Sequence, residues 1–350
     1  MKTDIKSLTL AELEDLAKEL GLQKFRAKQI YEWLHRQCAK SFDEMTNLSK
    51  EQRAKLDELC EIKNCSIEKK LVSKLDGTKK YLFRLNDGEF IESVLMKYKY
   101  GYTVCVSSQV GCNMKCSFCA STIDGCVRNL APSEILSQVY AITRDNRKED
   151  RDFRVSHIVL MGMGEPLDNY ENVLRFLELI TNGDGLNIGA RNISISTCGI
   201  VPKIYDLIEK HPQYTLSVSL HAPNDEIRDR IMPVNRKWNT EELLEACRVY
   251  TKQTSRRISF EYAMMKDIND TDECARELAK RLKGMLCHVN LIPANEVREN
   301  DYQRSNNERI KEFSKILEAG GITTTIRRSL GGDIDASCGQ LRRQSKGGES

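Results

Sequence analysis

Between residues 7 and 60, apolar positions recur every three or four residues: Leu13, Leu16, Ala17 and Leu20, then Ala27, Ile30, Tyr31 and Leu34, then Leu56 and Leu59. That spacing predicts three short amphipathic helices. Thr9 with Glu12 and Ser49 with Gln52 form capping boxes, and Gly21 marks a stop. From Ser66 to Met96 the period falls to two. Tyr81, Phe83 and Leu85 alternate with Lys80 and Arg84, and Asn86, Asp87 and Gly88 supply a turn, which predicts antiparallel strands. In the next strand Phe90, Val94 and Met96 share a face with Glu92. A carboxylate there is either a paired structural charge or a tuned acid or base, and pattern alone favours the first.

After residue 100 strand and helix patterns alternate. Strands are predicted at 103–106, 156–161, 192–197, 215–220, 257–264 and 287–291, with helices such as 133–143, 170–180, 240–251 and 271–282 between them. This is an α/β arrangement of parallel strands with right-handed crossovers, either an open sheet or an incomplete barrel. The segments at the strand ends favour a partial (β/α)6 TIM-like barrel. GMGEP (162–166), STCG (196–199), SLHAP (219–223) and NLIP (290–293) each end a strand, and the C-terminal ends of barrel strands converge on one mouth. The expected division is a helical module over 1–65, a β extension over 66–100, the barrel over 101–326 and a C-terminal loop and tail over 327–350.

Charge narrows the picture little. Lys plus Arg number 54 against 51 for Asp plus Glu, so the formal net charge of +3 does not by itself point to nucleic acid. The basic turn residues Lys24, Arg26 and Lys28 read as a solvated polar face. The N-terminus lacks a signal-peptide apolar run and no stretch approaches the ~18 apolar residues of a membrane span, which implies a cytoplasmic protein. Clustered among the 13 cysteines are Cys112, Cys116 and Cys119, spaced C-x3-C-x2-C in a loop after the first barrel strand. Clustering points to metal or redox chemistry rather than to a disulfide framework. Three thiolates suit a 4Fe-4S cluster with one open iron, whereas structural zinc takes four protein ligands. Cys126 breaks the compact spacing, and Phe118 is placed to shield one side of such a cluster.

The segment CNMKCSFC resembles the signature of the radical S-adenosylmethionine (SAM) enzymes, and GMGEP resembles their methionine-binding segment. More narrowly, CVSSQVGC, MGMGEPLDNY, SLHAPNDEIRDRIMPVN, HVNLIP and DIDASCGQL together resemble the dual-specificity 23S rRNA and tRNA adenine C2 methyltransferases, over about residues 5–343. The resemblance implies a radical SAM barrel with one 4Fe-4S cluster on Cys112, Cys116 and Cys119, and two SAM molecules consumed per turnover. It puts Gly164 and Glu165 at the methionine end of SAM, with Ser196, Ser219, Leu220, His221 and Asn290 lining the rest. Without it, His221 reads as a structurally hydrogen-bonded loop residue. Cys338 matches the cysteine that first carries the methyl group, and Cys105 the one that releases the product and ends in a transient disulfide with Cys338. Glu92 matches the proton acceptor, which reverses the structural preference for it; whether Glu92 or Cys105 takes the C2 proton stays open.

The remaining cysteines, Cys38, Cys60, Cys65, Cys126, Cys198, Cys247, Cys274 and Cys287, match no chemical role, and Cys198 replaces the small residue expected in STxG. Partners implied are 23S rRNA, tRNA and a flavodoxin or ferredoxin electron donor, with the chain acting as a monomer. Lys69, Lys70, Lys79, Lys80, Arg327, Arg328, Arg342 and Arg343 are candidate phosphate contacts, each by itself more in keeping with a solvated charge. Two other readings stand beside this one. A C8-specific adenine methyltransferase shares the cluster motif and both cysteines, but resembles GMGEA where this chain has Pro166. A non-catalytic iron-sulfur or zinc RNA-binding protein predicts no turnover under reductant.

Overall fold

A computed structural model describes residues 2–210, 213–295 and 301–341. The N-terminal helices are Leu10–Glu19, Lys24–His35 and Lys50–Leu59, and both predicted capping boxes form, with Thr9 Oγ1 and Ser49 Oγ accepting from the backbone N–H of Glu12 and Gln52. The basic turn residues hold local partners: Lys24 pairs with Glu14, Lys28 with Asp184, and Arg26 donates to Gln29 and to the carbonyl of Asn47. Arg175 forks onto Glu12 at 2.8 Å through both nitrogens, and buried Lys6 donates to Ser137. These contacts fix the module against the barrel helices.

One ten-stranded sheet organises the rest. Its antiparallel part runs through Ser66–Val72, Lys79–Arg84 and Phe90–Tyr98 into the first barrel strand, Gly101–Cys105. The second to sixth barrel strands are Val155–Leu160, Ile193–Thr197, Thr215–Ser219, Ile258–Met264 and Cys287–Pro293, all parallel to their neighbours. Thr324–Ile326 adds a short parallel edge strand that the sequence pattern does not reveal, because three residues are too few to display a period. Helices Pro132–Arg147, Tyr170–Thr181, Val201–Lys210, Thr240–Thr254, Asp272–Leu282 and Asn307–Ala319 cross over between the strands. The parallel strands and their crossover helices form a partial barrel, and no helix among the described residues is long and apolar enough to cross a membrane.

The barrel does not close, because the edge strand and the antiparallel extension lie at opposite ends of the sheet. The C-terminal loop spans the gap. Ser73 Oγ donates to Asp333 at 2.6 Å, the Gly331 N–H to Asp76 at 2.9 Å, and Lys80 Nζ to the Asp335 carbonyl at 3.0 Å. At its far end the Ala120 N–H donates to the Gly339 carbonyl at 2.8 Å, so the loop is tied to the extension on one side and to the cysteine loop on the other. Inside, register aligns Ser219, Glu261, Asn290 and Thr325 in one cross-strand row, and Ser196, Ser217, Ser259 and His288 in the next. A closed barrel fills such positions with branched apolar side chains. Polar rows here mark an interior built to face ligand.

Candidate functional site

The cysteine loop is braced by a small hairpin in which Gln109–Gly111 pairs with Cys126–Asn129. Gly111 has φ +82° and a Cβ there would fall 1.9 Å from the Gly125 carbonyl oxygen, so only glycine allows this crossing. Cys112, Cys116 and Cys119 line one wall of a cleft at the strand C-termini, whereas Cys126 sits on the return strand with its thiol toward the Arg128 carbonyl. About 1050 Å³ of space free of protein atoms, open solvent at the mouth included, lies within that cleft. Burial drives the Cys112 thiol up to about 12, and burial with the charges of Cys119 and Cys112 drives the Cys116 thiol well up too. A cationic centre is what three such thiols need to ionise together. Among the described residues no three His, Cys, Asp or Glu side chains are grouped as ligands of a single ion would be. Three thiol donors on one cleft wall fit the needs of a 4Fe-4S cluster, whereas structural zinc takes four protein ligands.

The opposite wall carries Gly164, Glu165, Ser196, Ser219 and His221. Gly164 has φ +99°, and a Cβ would lie 2.6 Å from that of Gln109. Glu165 is buried, and its two oxygens accept from the N–H groups of Leu167 at 3.0 Å and Cys198 at 2.7 Å, which ties the second strand end to the third. Burial raises its pKa. His221 also sits at positive φ (56°), with Nδ1 accepting from the Ala263 N–H at 2.9 Å and its ring edge-on to Phe118 at 4.9 Å. Burial, helped by Arg228, lowers its pKa to about 3, so the imidazole is neutral and carries its proton on Nε2. Nδ1 is thus structural, and the ring lines the cleft.

Leu220 and Asn290 stand behind this wall rather than on it. The Leu220 side chain is fully buried, and its N–H and carbonyl are used by the Glu261 carbonyl and Arg228. Asn290 donates to Glu261 at 3.1 Å and accepts from Thr325. Glu261, though only 3% exposed, lines the cleft where Asn290 does not, and its Oε2 has no hydrogen-bond partner. Its signal in the sequence is a lone carboxylate in the fully buried strand ISFEYAM. Arg228, also unforeseen, is 0% exposed and holds the loops after the third and fourth strands through the carbonyls of Cys198, Ser219 and Leu220.

Cys338 and Cys105 line a second chamber, with Met96, Tyr98 and Leu330. Met161, Asn295, Arg327 and Cys338 line both chamber and cleft, so the two are contiguous. Both thiols are free. Burial raises Cys105 to about 12, the Cys338 charge adds to this, and Arg327 opposes it. Arg327 points inward, 3.6 Å from Glu261 and 3.5 Å from the Met161 sulfur.

Cys105 pairs directly with Val94, so Glu92 lies on the same sheet face one diagonal step away. Glu92 is 1% exposed and 2.9 Å from Lys80. Lys80 is therefore a buried counter-ion beneath the Cys338 loop, which corrects its reading as a phosphate contact. Lys70 and Lys79 are likewise turned to Asp145 and to Asn146 and Glu149, while Lys69 and Arg328 remain exposed; Arg342 and Arg343 lie outside the described residues. Lys80→Met should cost about 3–5 kcal/mol of unfolding free energy by removing the cation that faces the buried Glu92 carboxylate, and Lys80→Met with Glu92→Leu should recover most of it. Denaturant titration of the three variants measures this coupling.

Comparisons with known proteins agree along the whole chain. Residues 3–62 match the family model of the ribosomal RNA large subunit methyltransferase N-terminal domain, and residues 106–282 match the radical SAM superfamily. A probable dual-specificity RNA methyltransferase RlmN from Clostridium novyi is 54% identical over 340 residues, 97% of this chain and 98% of the relative. One of the same name from Lachnoclostridium phytofermentans is 54% identical over 342 residues, covering 98% and 95%. The crystal structure of a radical SAM methyltransferase from Sphaerobacter thermophilus superposes with a TM-score of 0.93 at 45% identity, covering 97% of this chain and 99% of that one.

Proposed function

This chain belongs to the RlmN family of dual-specificity RNA methyltransferases, and on that premise we propose that it methylates carbon 2 of adenine in 23S rRNA and tRNA through a methyl group carried on Cys338. The observation that supports this most is the meeting of two thiols, distant in sequence, in one chamber that shares a wall with the three-cysteine cleft. Carbon 2 is electron-poor and cannot attack a methyl sulfonium as an amine does. A radical route is required. Cys112, Cys116 and Cys119 would hold a 4Fe-4S cluster, which together with SAM would supply a 5′-deoxyadenosyl radical given one electron. The remaining events belong to the chain.

Cys338 takes a methyl from a first SAM by displacement and presents the S-methyl group at the junction of cleft and chamber. Loss of one hydrogen atom from that group leaves a carbon radical that joins C2, linking Cys338 covalently to RNA. Cys105, a thiol in the resting enzyme, then gives up its proton and attacks the Cys338 sulfur, breaking its bond to the transferred carbon; that carbon takes a proton from solvent, the unpaired electron left by the addition is given back to the electron-transfer centre, and the Cys105–Cys338 disulfide must be reduced before the next turnover. The C2 proton goes to Glu92 or to Cys105; Glu92 is favoured because Lys80 can stay beside it as it gains and gives up the proton. Gly164 and Glu165 hold the methionine end of SAM, with Ser196, Ser219 and His221 on the wall and Leu220 and Asn290 acting from behind it. A flavodoxin- or ferredoxin-type carrier supplies the electron, the chain works as a monomer in the cytoplasm, and residues 1–65 with 66–100 guide the RNA to the barrel.

Mass spectrometry of RNA fragments after anaerobic turnover is expected to place the new methyl at C2, in line with Pro166 in GMGEP. A methyl at C8 alone would transfer the assignment to the C8 enzymes, and absence of any methyl would favour the non-catalytic reading.

A further inference from the structure

The turn between the last extension strand and the first barrel strand reads KYKYGY (97–102), and the chemistry described so far does not use it. Tyr98 pairs with Gly101, so Lys99 and Tyr100 form a two-residue hairpin turn. A Cβ at Gly101, which has φ +125°, would fall 2.3 Å from Ser156 Oγ, which leaves this turn little freedom. Tyr100 stacks on Tyr98 with ring centroids 5.0 Å apart and planes 5° from parallel, and His157 abuts it edge-on at 4.7 Å. Even so, Tyr100 is 61% exposed. Its ring is held from behind while much of its surface meets solvent.

Tyr98 belongs to the chamber wall with Cys105 and Cys338, so the stacked pair runs from the reacting thiols to the surface. It does so at the open side of the barrel, where the C-terminal loop bridges the gap. Exposed Lys99 stands beside Tyr100 in the turn, and exposed Arg328 lines the chamber with Tyr98. Lys97 belongs to the other face, with Nζ 5.6 Å from the centroid of the Tyr102 ring, and takes no part.

We propose that Tyr100, backed by Tyr98 and flanked by Lys99 and Arg328, is a stacking platform for an unpaired RNA nucleotide next to the target adenine as that adenine enters the chamber. The inference rests on the RNA methyltransferase reading above. An adenine taken into a protein chamber leaves its neighbours unstacked, and a rigid aromatic face with cations beside it replaces the lost stacking while following the backbone. Tyrosine suits this because its large face is already fixed before binding.

The test uses the full-length, cluster-loaded enzyme and a tRNA anticodon stem-loop transcript with adenine in its loop. Tyr100→Ala should weaken RNA binding about tenfold, the size of one lost base stack, while Tyr100→Phe stays within about twofold of wild type. The loss should fall on KM for RNA more than on kcat, with SAM affinity by calorimetry unchanged. Lys99→Ala should lower the slope of log Kd against log salt by about 0.7, the value of one single-strand phosphate contact. The proposal is overturned if Tyr100→Ala binds the stem-loop as wild type does, if Phe loses as much as Ala, or if the Ala variant also loses SAM affinity or Tm, which would make the turn structural. If the wild-type enzyme itself fails to bind or methylate the transcript, the functional reading fails first and separately.

Discussion

Cys338→Ala is expected to abolish RNA methylation, by ~10³-fold or more, while the protein still assembles its cluster and binds SAM. The separation follows from where the residue sits. Cys338 rides on a loop anchored through Asp333, Asp335 and Gly339, none of which depends on its thiol, and it is not one of the three cluster cysteines. Removing one sulfur therefore leaves the fold and the cleft intact and takes away only the atom that carries the methyl. Anaerobic reconstitution with iron analysis, SAM calorimetry and a methylation assay on one preparation measure all three properties. A variant that lost cluster and activity together would mean that Cys338 is structural.

Cys105→Ala should behave differently, stopping the reaction after carbon–carbon bond formation and leaving RNA attached to the enzyme. In wild type, Cys105 shares the chamber with Cys338, and no other cysteine lines it among the described residues. Without it no neighbouring thiol can release the Cys338 sulfur, so the adduct should build up toward about one RNA per active chain. Denaturing electrophoresis with labelled RNA detects it, and Cys105→Ala with Cys338→Ala should show no such band. An uncrosslinked variant that still turns over would remove Cys105 from the mechanism.

The physical basis of the site explains what the sequence could disclose. That Cys112, Cys116 and Cys119 share a cleft wall was legible because they lie close together in one loop, and GMGEP and SLHAP stood out because a strand end that lines a cleft departs from apolar alternation. The helical caps were legible for the same local reason. Glu92 was ambiguous: its strand pattern shows a carboxylate among apolar residues, but the partner that neutralises it lies across the sheet in Lys80, and only register reveals the pair. Lys80 and Arg327 looked like surface cations because charge in a sequence carries no direction; in the fold both point inward, under and beside the Cys338 loop. Leu220 and Asn290 were assigned to the cofactor wall through their motifs, whereas it is Glu261, the cross-strand neighbour of Asn290, that lines the cleft. Such cross-strand order is set by tertiary pairing, which no spacing along one strand encodes.

The central claim is that the methyl group passes through Cys338 and reacts there as a carbon radical. Anaerobic turnover with SAM carrying a fully deuterated methyl group tests it most directly. The account predicts a C2 methyl that retains two of its three deuterons and gains one hydrogen from solvent, with the third deuteron recovered in 5′-deoxyadenosine. A methyl transferred with all three deuterons, and 5′-deoxyadenosine free of label, would contradict it.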